Sequence, residues 1–148
     1  MLQISTKGRY GVRLMIDLAL RYGEGPVLLR EIAGRQGISE KYLWNLISPL
    51  KNAGLVVSYR GARGGYSLAK PPSKINLGEI MRLLEGPLCL VGCVEKPSEC
   101  GRSAMCIIRD VWEDVSRRIS KTLESITLAE MVRKNRTKKT EVLSEGNN

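Results

Sequence analysis

The chain has 148 residues, 43% of them apolar and 26% charged, and a formal net charge of +9. That length suits one domain, or one small domain with an added dimerisation element, and no apolar run approaches the roughly 18–20 residues that span a bilayer. The chain has no histidine, so the commonest general base and the commonest nitrogen ligand for a metal are missing, which argues against most enzyme chemistry and leaves no catalytic residue to name.

In chain order, the first predicted element is a helix over residues 5–22. Ser5 or Thr6 caps it, Val12, Met15, Ile16 and Ala19 form one stripe, and Leu14 and Leu18 add a second apolar side. Gly23 and Gly25-Pro26 end it. A short helix over 29–36 follows, with Ile32 and Ala33 inward. Gly37 then makes a turn, and Ser39 caps a helix from Glu40 toward Asn52 whose core face is Leu43, Ile47 and Leu50. Pro49 predicts a kink or an early end there. Two short helices joined by a tight glycine-containing turn are the signature of a helix-turn-helix. The stretch LVVSYRGARGGYSLAK reads as a hairpin with strands Leu55–Tyr59 and Tyr66–Leu68 and a tip at Arg60–Gly65. A helix-turn-helix followed at once by a basic hairpin is a winged helix, and Pro71-Pro72 closes the unit. The basic excess coincides with it. Residues 1–70 hold 11 Lys/Arg against 4 Asp/Glu, whereas residues 71–132 hold 8 against 9. A basic excess concentrated in one unit is the electrostatic footprint of a nucleic-acid partner.

Such a unit presents the start of its second helix to base edges. Glu40, Lys41, Tyr42, Trp44 and Asn45 stand there. Asn45 suits bidentate bonding to adenine, Lys41 suits guanine or phosphate, and Tyr42 suits phosphate. Trp44 either contacts the DNA or packs on a neighbouring element. At the wing tip Arg60 and Arg63, on a backbone made pliable by Gly61, Gly64 and Gly65, suit the minor groove, whose narrow stretches attract arginine.

Leu77–Leu84 is a predicted short helix leading into CLVGCVEKPSECGRSAMC, which holds all four cysteines as Cys89-x3-Cys93-x6-Cys100-x5-Cys106. The chain is expected to be cytoplasmic, where thiols stay reduced, so the cysteines read as ligands or redox groups rather than disulfides. Thiolates suit zinc and iron–sulfur clusters alike. Spacing ranks a cluster slightly above zinc, because only Cys89-x3-Cys93 fits the short pairs of a closed zinc site. From Met105 the pattern is helical again, with Ile108, Val111, Trp112, Val115, Ile119, Leu123 and Ile126 at three- and four-residue steps. A helix this apolar needs a partner, and a second subunit is the expected one, since readers of this type bind DNA as two-fold dimers. Thr127 caps a final short helix, LAEMVRK. The fold expected is mainly α (α+β): a winged helix-turn-helix DNA-binding domain over residues 1–72; a linker helix, cysteine loop (89–106) and dimerisation helices over 73–132; and a disordered basic tail over 133–148.

The motifs STKGRYGVRLMIDLAL, REIAGRQGIS, AGLVVSYRGARGGYSLAK, LGEI, WEDVSRRI and ITLAEMV, with the cysteine loop between them, resemble the IscR family of winged-helix iron–sulfur assembly regulators over about residues 1–132. The resemblance implies a homodimeric transcription regulator of iron–sulfur assembly genes that binds double-stranded operator DNA without a membrane partner. It also implies a [2Fe–2S] cluster on Cys93, Cys100 and Cys106, delivered by the iron–sulfur assembly machinery. The wing arginine and glycines of the family match Arg60, Gly61, Gly64 and Gly65. The family's fourth ligand is a histidine three residues after the third cysteine, and here that position is Arg109, whose guanidinium stays protonated and is no ligand. Cys89, a carboxylate or a group from the partner subunit is left to fill the place.

Overall fold

The computed structural model describes residues 3–145. Helix α1 (Thr6–Leu20) is capped by the Ser5 side chain, which accepts from the Gly8 amide. Leu14, Met15 and Leu18 are buried at 0–2% exposure, with Val12 and Ile16 half-buried beside them, so α1 does pack on two sides. Helices α2 (Leu29–Gln36) and α3 (Glu40–Asn52) meet at a tight turn through Gly37, and Ser39 accepts from the Tyr42 amide to start α3. Leu43, Leu46, Ile47 and Leu50 form the buried face of α3. The early end expected at Pro49 does not occur, and α3 runs on to Asn52. Proline lies in the last turn, where its missing N–H deprives only the carbonyl of Asn45, an exposed residue that water can reach.

Strands β1 (Val56–Tyr59) and β2 (Gly65–Leu68) pair antiparallel, with Val56 opposite Leu68 and Tyr59 opposite Gly65. Val27 adds a single bridge to the outer edge, exchanging two 2.8 Å backbone bonds with Tyr66. That close approach requires glycine at position 65, where φ is +142° and a Cβ would lie 2.5 Å from the Val27 carbonyl oxygen.

After a 3-10 turn at Pro72–Lys74, helix α4 (Leu77–Glu85) starts on Asn76, whose side chain accepts from the Glu79 amide at 2.8 Å. It presses directly on α1. A Cβ on Gly11 would fall 2.0 Å from a Leu84 methyl carbon, and one on Gly8 would fall 2.2 Å from a Glu85 carboxylate oxygen. That same oxygen accepts from the Gly8 and Ser5 amides at 3.0 and 3.1 Å and from the Ser5 hydroxyl, so the end of α4 supplies an acceptor to the start of α1.

The cysteine segment follows as a short helix α5 (Gly92–Glu95) and two 3-10 turns. Helix α6 (Ile107–Ser125) then returns along α4. Its junction with helix α7 (Leu128–Glu145) is strapped to the start of α4, with the Leu77 amide bonded to the Ile126 carbonyl and the Leu128 amide to the Ile75 carbonyl. Leu128 and Val132 thereby join the same buried cluster as Leu14, Ile32, Leu50, Ile75 and Ile80.

Helix α7 is longer than the short helix read from sequence, and residues 133–145 are helical rather than disordered. The Thr127 hydroxyl accepts from the Glu130 amide, Leu128 and Val132 anchor the first turns, and the rest is rich in Arg, Lys and Glu, with a Glu130–Lys134 ion pair at 3.0 Å. Once nucleated on a core, such residues propagate a helix at little cost. The last three tail residues, 146–148, lie outside the described residues.

The seam between α1 and α4 predicts the outcome of a single methyl group. Gly11→Ala should destabilise the protein by roughly 1–3 kcal/mol, the usual cost of overpacking. Gly34→Ala, inside α2 with nothing within 4 Å of its Cβ position, should be neutral or stabilising. Urea midpoints at unchanged slope measure both, and equal midpoints for the two variants would show that the seam can give.

Candidate functional site

Helix α3 and the hairpin, which touch through Trp44 and Tyr66, leave most of the expected reading residues exposed. Glu40, Lys41, Trp44 and Asn45 are exposed along α3, and Arg60, Gly61 and Arg63 are exposed at the wing tip. Gly64 is buried and Gly65 half-buried, so these two shape the wing rather than form its surface. Tyr42 differs from the sequence reading, because its ring is half-buried and stands edge-on to Tyr10 of α1 at 5.6 Å. Trp44 combines both alternatives. It remains 52% exposed, yet its ring meets Tyr66 of β2 edge-on at 6.0 Å, which links the reading helix to the wing. Tyr10, Tyr66 and Arg13, whose guanidinium lies over the Tyr10 ring at 5.4 Å, were not singled out from the sequence. Arg13 and Tyr10 are one helical turn apart, but the pairs Tyr10–Tyr42 and Trp44–Tyr66 join residues tens of positions apart, which no local spacing marks.

Beneath this face, the turn between α2 and α3 is held by a buried charge. Asp17 of α1 is 1% exposed and accepts from Arg35 at 2.8 and 3.1 Å, from Gln36 at 2.9 Å and from Arg21 at 3.2 Å. Burial pushes its carboxyl up, but the hydrogen bonds from Arg35 and Gln36 and the charges of Arg21 and Arg35 outweigh it, leaving the group below its ordinary value.

The second cluster is the cysteine loop. All four thiols are half-buried and unpaired. Cys93 lies in α5, Cys100 follows the turn at Pro97–Glu99, and Cys106 immediately precedes α6. Cys89 faces a different environment, an apolar cavity of about 440 Å³ that it shares with Ile4, Met81, Ile119 and Leu123. Burial, and then the charge of Glu95, raise its thiol pKa and favour the protonated form. Leu90 is pinned to α6 through its amide, which donates to the Ser116 hydroxyl at 3.1 Å.

Arg109 is the residue that ties the loop together. Its Nε donates to the Cys93 carbonyl at 3.2 Å and its backbone amide to the Cys106 carbonyl at 3.1 Å. Its side chain is 17% exposed and carries ion pairs to Asp110 at 3.4 Å and Glu113 at 3.5 Å. Thiolates are the right donor type for iron or zinc. Among the described residues, however, no three Cys, Asp or Glu side chains converge as a metal site.

The first half of α6 offers a third feature. Val115, Ile119, Leu123 and Ile126 are half-buried, while Ile107, Ile108, Val111 and Trp112 are 81%, 54%, 47% and 38% exposed. One apolar stripe is thus part covered and part open.

A winged helix with this exposed reading helix and arginine-bearing wing defines a DNA-binding protein, not an enzyme. The chain belongs to the Rrf2 family of transcriptional regulators, whose model, described as an iron-dependent transcriptional regulator, matches residues 4–134. It is similar to the transcriptional regulator CymR of Bacillus subtilis, at 46% identity over 130 residues, which cover 88% of this chain and 89% of the relative. It is also similar to IscR of Serratia proteamaculans, at 43% identity over 131 residues, which cover 88% of this chain and 79% of the relative. Among solved structures, T. potens IscR superposes with a TM-score of 0.75 at 48% identity, covering 90% of this chain and 88% of that one. The B. subtilis CymR structure, described as that of the global cysteine regulator, gives 0.75 at 44% identity and covers 90% and 98%.

The two hydrogen bonds from Arg109 to the loop backbone generate a prediction for the metal-free protein. Arg109→Ala removes a charge-assisted hydrogen bond to the Cys93 carbonyl. Cys93 should then alkylate faster with iodoacetamide, read by peptide mass spectrometry, with the helical circular-dichroism signal unchanged. An unaltered rate at Cys93 would show that the loop is held by something else.

Proposed function

We propose that this regulator responds to iron–sulfur cluster supply and controls iron–sulfur assembly genes. It would use a [2Fe–2S] cluster held by Cys93, Cys100 and Cys106. The observation that carries this reading is the set of three thiols spaced from α5 to the start of α6, with Arg109 bonded to the backbone at the first and the last. The likeness to IscR relatives at 43% identity supports it. When bound, the cluster supplies a cross-link across the loop that depends on iron, sulfide and redox state. Cys89 is the weaker fourth ligand because it faces an apolar cavity where burial raises its thiol pKa, which leaves a carboxylate or a group from a partner subunit. The open apolar half of α6 supports a homodimer. In that dimer Glu40, Lys41, Trp44 and Asn45 would face the major groove, with Tyr42 packed behind them on Tyr10, and Arg60 and Arg63, with Gly61, Gly64 and Gly65 behind them, the minor groove. The protein would work in the cytoplasm and receive its cluster from the assembly machinery. A second reading, a regulator answering to cysteine or thiol oxidation, draws on the 46% identity to CymR.

Four single Cys→Ala proteins, reconstituted anaerobically side by side and assayed for iron, sulfide, zinc and visible absorption, separate these readings. Loss of the cluster in the variants at 93, 100 and 106, with retention in Cys89→Ala, is the expected result. Stoichiometric zinc without sulfide, or no metal at all in the unmodified protein, overturns the cluster. The DNA face is tested separately. Arg60→Ala should weaken operator binding by roughly 1–3 kcal/mol if it makes a specific groove contact, and affinity should fall steeply with salt as counterions are released. Unchanged anisotropy titrations at fixed salt would remove Arg60 from the interface.

A further inference from the structure

A concave pocket of about 440 Å³ lies where α1, α2 and α7 meet, behind the reading face. Arg13 and Arg21 of α1, Arg35 of α2 and Lys139 of α7 contribute four cationic side chains to its wall. Among the described residues that line it, Asp17 is the single carboxylate. The charges of Asp17, Arg21 and Arg35 are already committed to one another through the buried network, but their donors are not exhausted. Arg35 gives Asp17 its Nε and Nη2, Arg21 gives it Nη1, and Arg13 gives Gln36 its Nε and Nη2. Each guanidinium therefore keeps an NH2 group outside these bonds. The guanidinium planes are fixed in advance by Asp17, Gln36 and the Tyr10 ring, so little side-chain freedom is lost when an anion docks. Asn135 of α7 adds an amide, and Ile16 and Leu20 give the wall an apolar part that suits a short carbon skeleton.

We propose that this pocket binds a small multivalent oxyanion, a phosphate- or carboxylate-bearing metabolite, as an effector of DNA binding. Three fixed guanidinia and an ammonium around one concavity match two or more anionic groups on one molecule, and bidentate arginine bonds select phosphate and carboxylate over halide. The site is connected to the reading helix. Arg13 lies over Tyr10, and Tyr10 packs edge-on against Tyr42 in the first turn of α3. An anion that draws on Arg13 thus acts on the residue stack behind that turn. Asn135 and Lys139, which make up the whole α7 contribution, lie beyond residue 134, where the family match ends. The inference does not depend on any metal in the cysteine loop.

The test uses the full chain in its metal-free form, with pyrophosphate and citrate as probes at constant ionic strength set by sodium chloride. Isothermal titration should give saturable binding of at least one probe. Lys139→Ala and Arg13→Gln, neither of which removes a bond to Asp17, should each weaken it about tenfold, as expected for loss of a charge-assisted contact. Lys121→Ala, exposed on α6, should leave it unchanged. The bound probe should also shift the anisotropy midpoint for a DNA duplex, and the shift should disappear in the two pocket variants. Absence of saturable binding overturns the proposal, as does binding that ignores both variants. A third result also defeats it: neither probe binds, but Lys139→Ala weakens the duplex itself. The cations would then be serving the DNA backbone.

Discussion

The contact on which most of the molecule depends is the bare face of α1 against α4. Gly8 and Gly11 present no side chains, so Leu84 and Glu85 come within a distance that any Cβ would forbid. Two consequences follow from this one seam. The Glu85 carboxylate takes up the donors at the start of α1, so the first helix of the reading unit is completed by a residue from the element after the wing. The cysteine segment leaves α4 at Gly86, directly next to that carboxylate, so its anchor point and the reading unit share one rigid joint. The strap between Ile75–Leu77 and Ile126–Leu128 closes the other side. Loop, α6 and α7 are thereby all referenced to α1.

The reading face shows the same economy of parts. Two edge-on aromatic pairs, Tyr10–Tyr42 and Trp44–Tyr66, hold the reading helix from behind and from the wing side. Each pair contributes on the order of 0.5–1.5 kcal/mol beyond its area, and both involve positions that polar contact alone would have assigned to DNA. The buried Asp17 network fixes the α2 end of the turn, and removing one of its partners would strand a charge inside the protein. Exposed Lys41, Asn45, Arg60 and Arg63 are therefore carried on a frame whose angles are set elsewhere.

What the sequence made legible divides along physical lines. Helix bounds, caps at Ser5 and Ser39, the wing and the cysteine loop are written in local pattern, because periodicity, capping oxygens and turn glycines act over a few residues. The continuation of α3 through Pro49 was missed because the cost of a proline depends on where the orphaned carbonyl points, which is a tertiary fact. Residues 133–145 read as a polar tail because composition alone does not reveal the anchor that Leu128 and Val132 give them. Gly8, Gly11 and Asp17 gave no signal in one sequence, since a glycine in a helix and an acid in an apolar stripe acquire meaning only when Leu84, Glu85 and Arg35 arrive from far along the chain. Within the candidate site, Lys41, Trp44, Asn45, Arg60 and Arg63 were legible as exposed positions on the expected elements. Tyr42's inward turn and Arg109's grip on the loop were not.

That grip bears on how a cysteine loop can act as a switch. A ligand shifts a conformational equilibrium only by as much as it prefers one state over the other. Thiols already gathered around one point would bind metal and change little. Here no three Cys, Asp or Glu side chains converge among the described residues, while Arg109 holds the backbone at Cys93 and Cys106. On the cluster reading, closing the loop must draw on metal-binding energy, and the strain of closing falls on its two ends. One end is Gly86, beside the carboxylate that completes α1. The other is the start of α6, where Ile107, Ile108, Val111 and Trp112 are exposed and would meet a second subunit in the proposed dimer. On that reading, metal, DNA-reading unit and dimer seam would compete or cooperate through the segment from Cys89 to Cys106, because it joins the end of α4 to the start of α6.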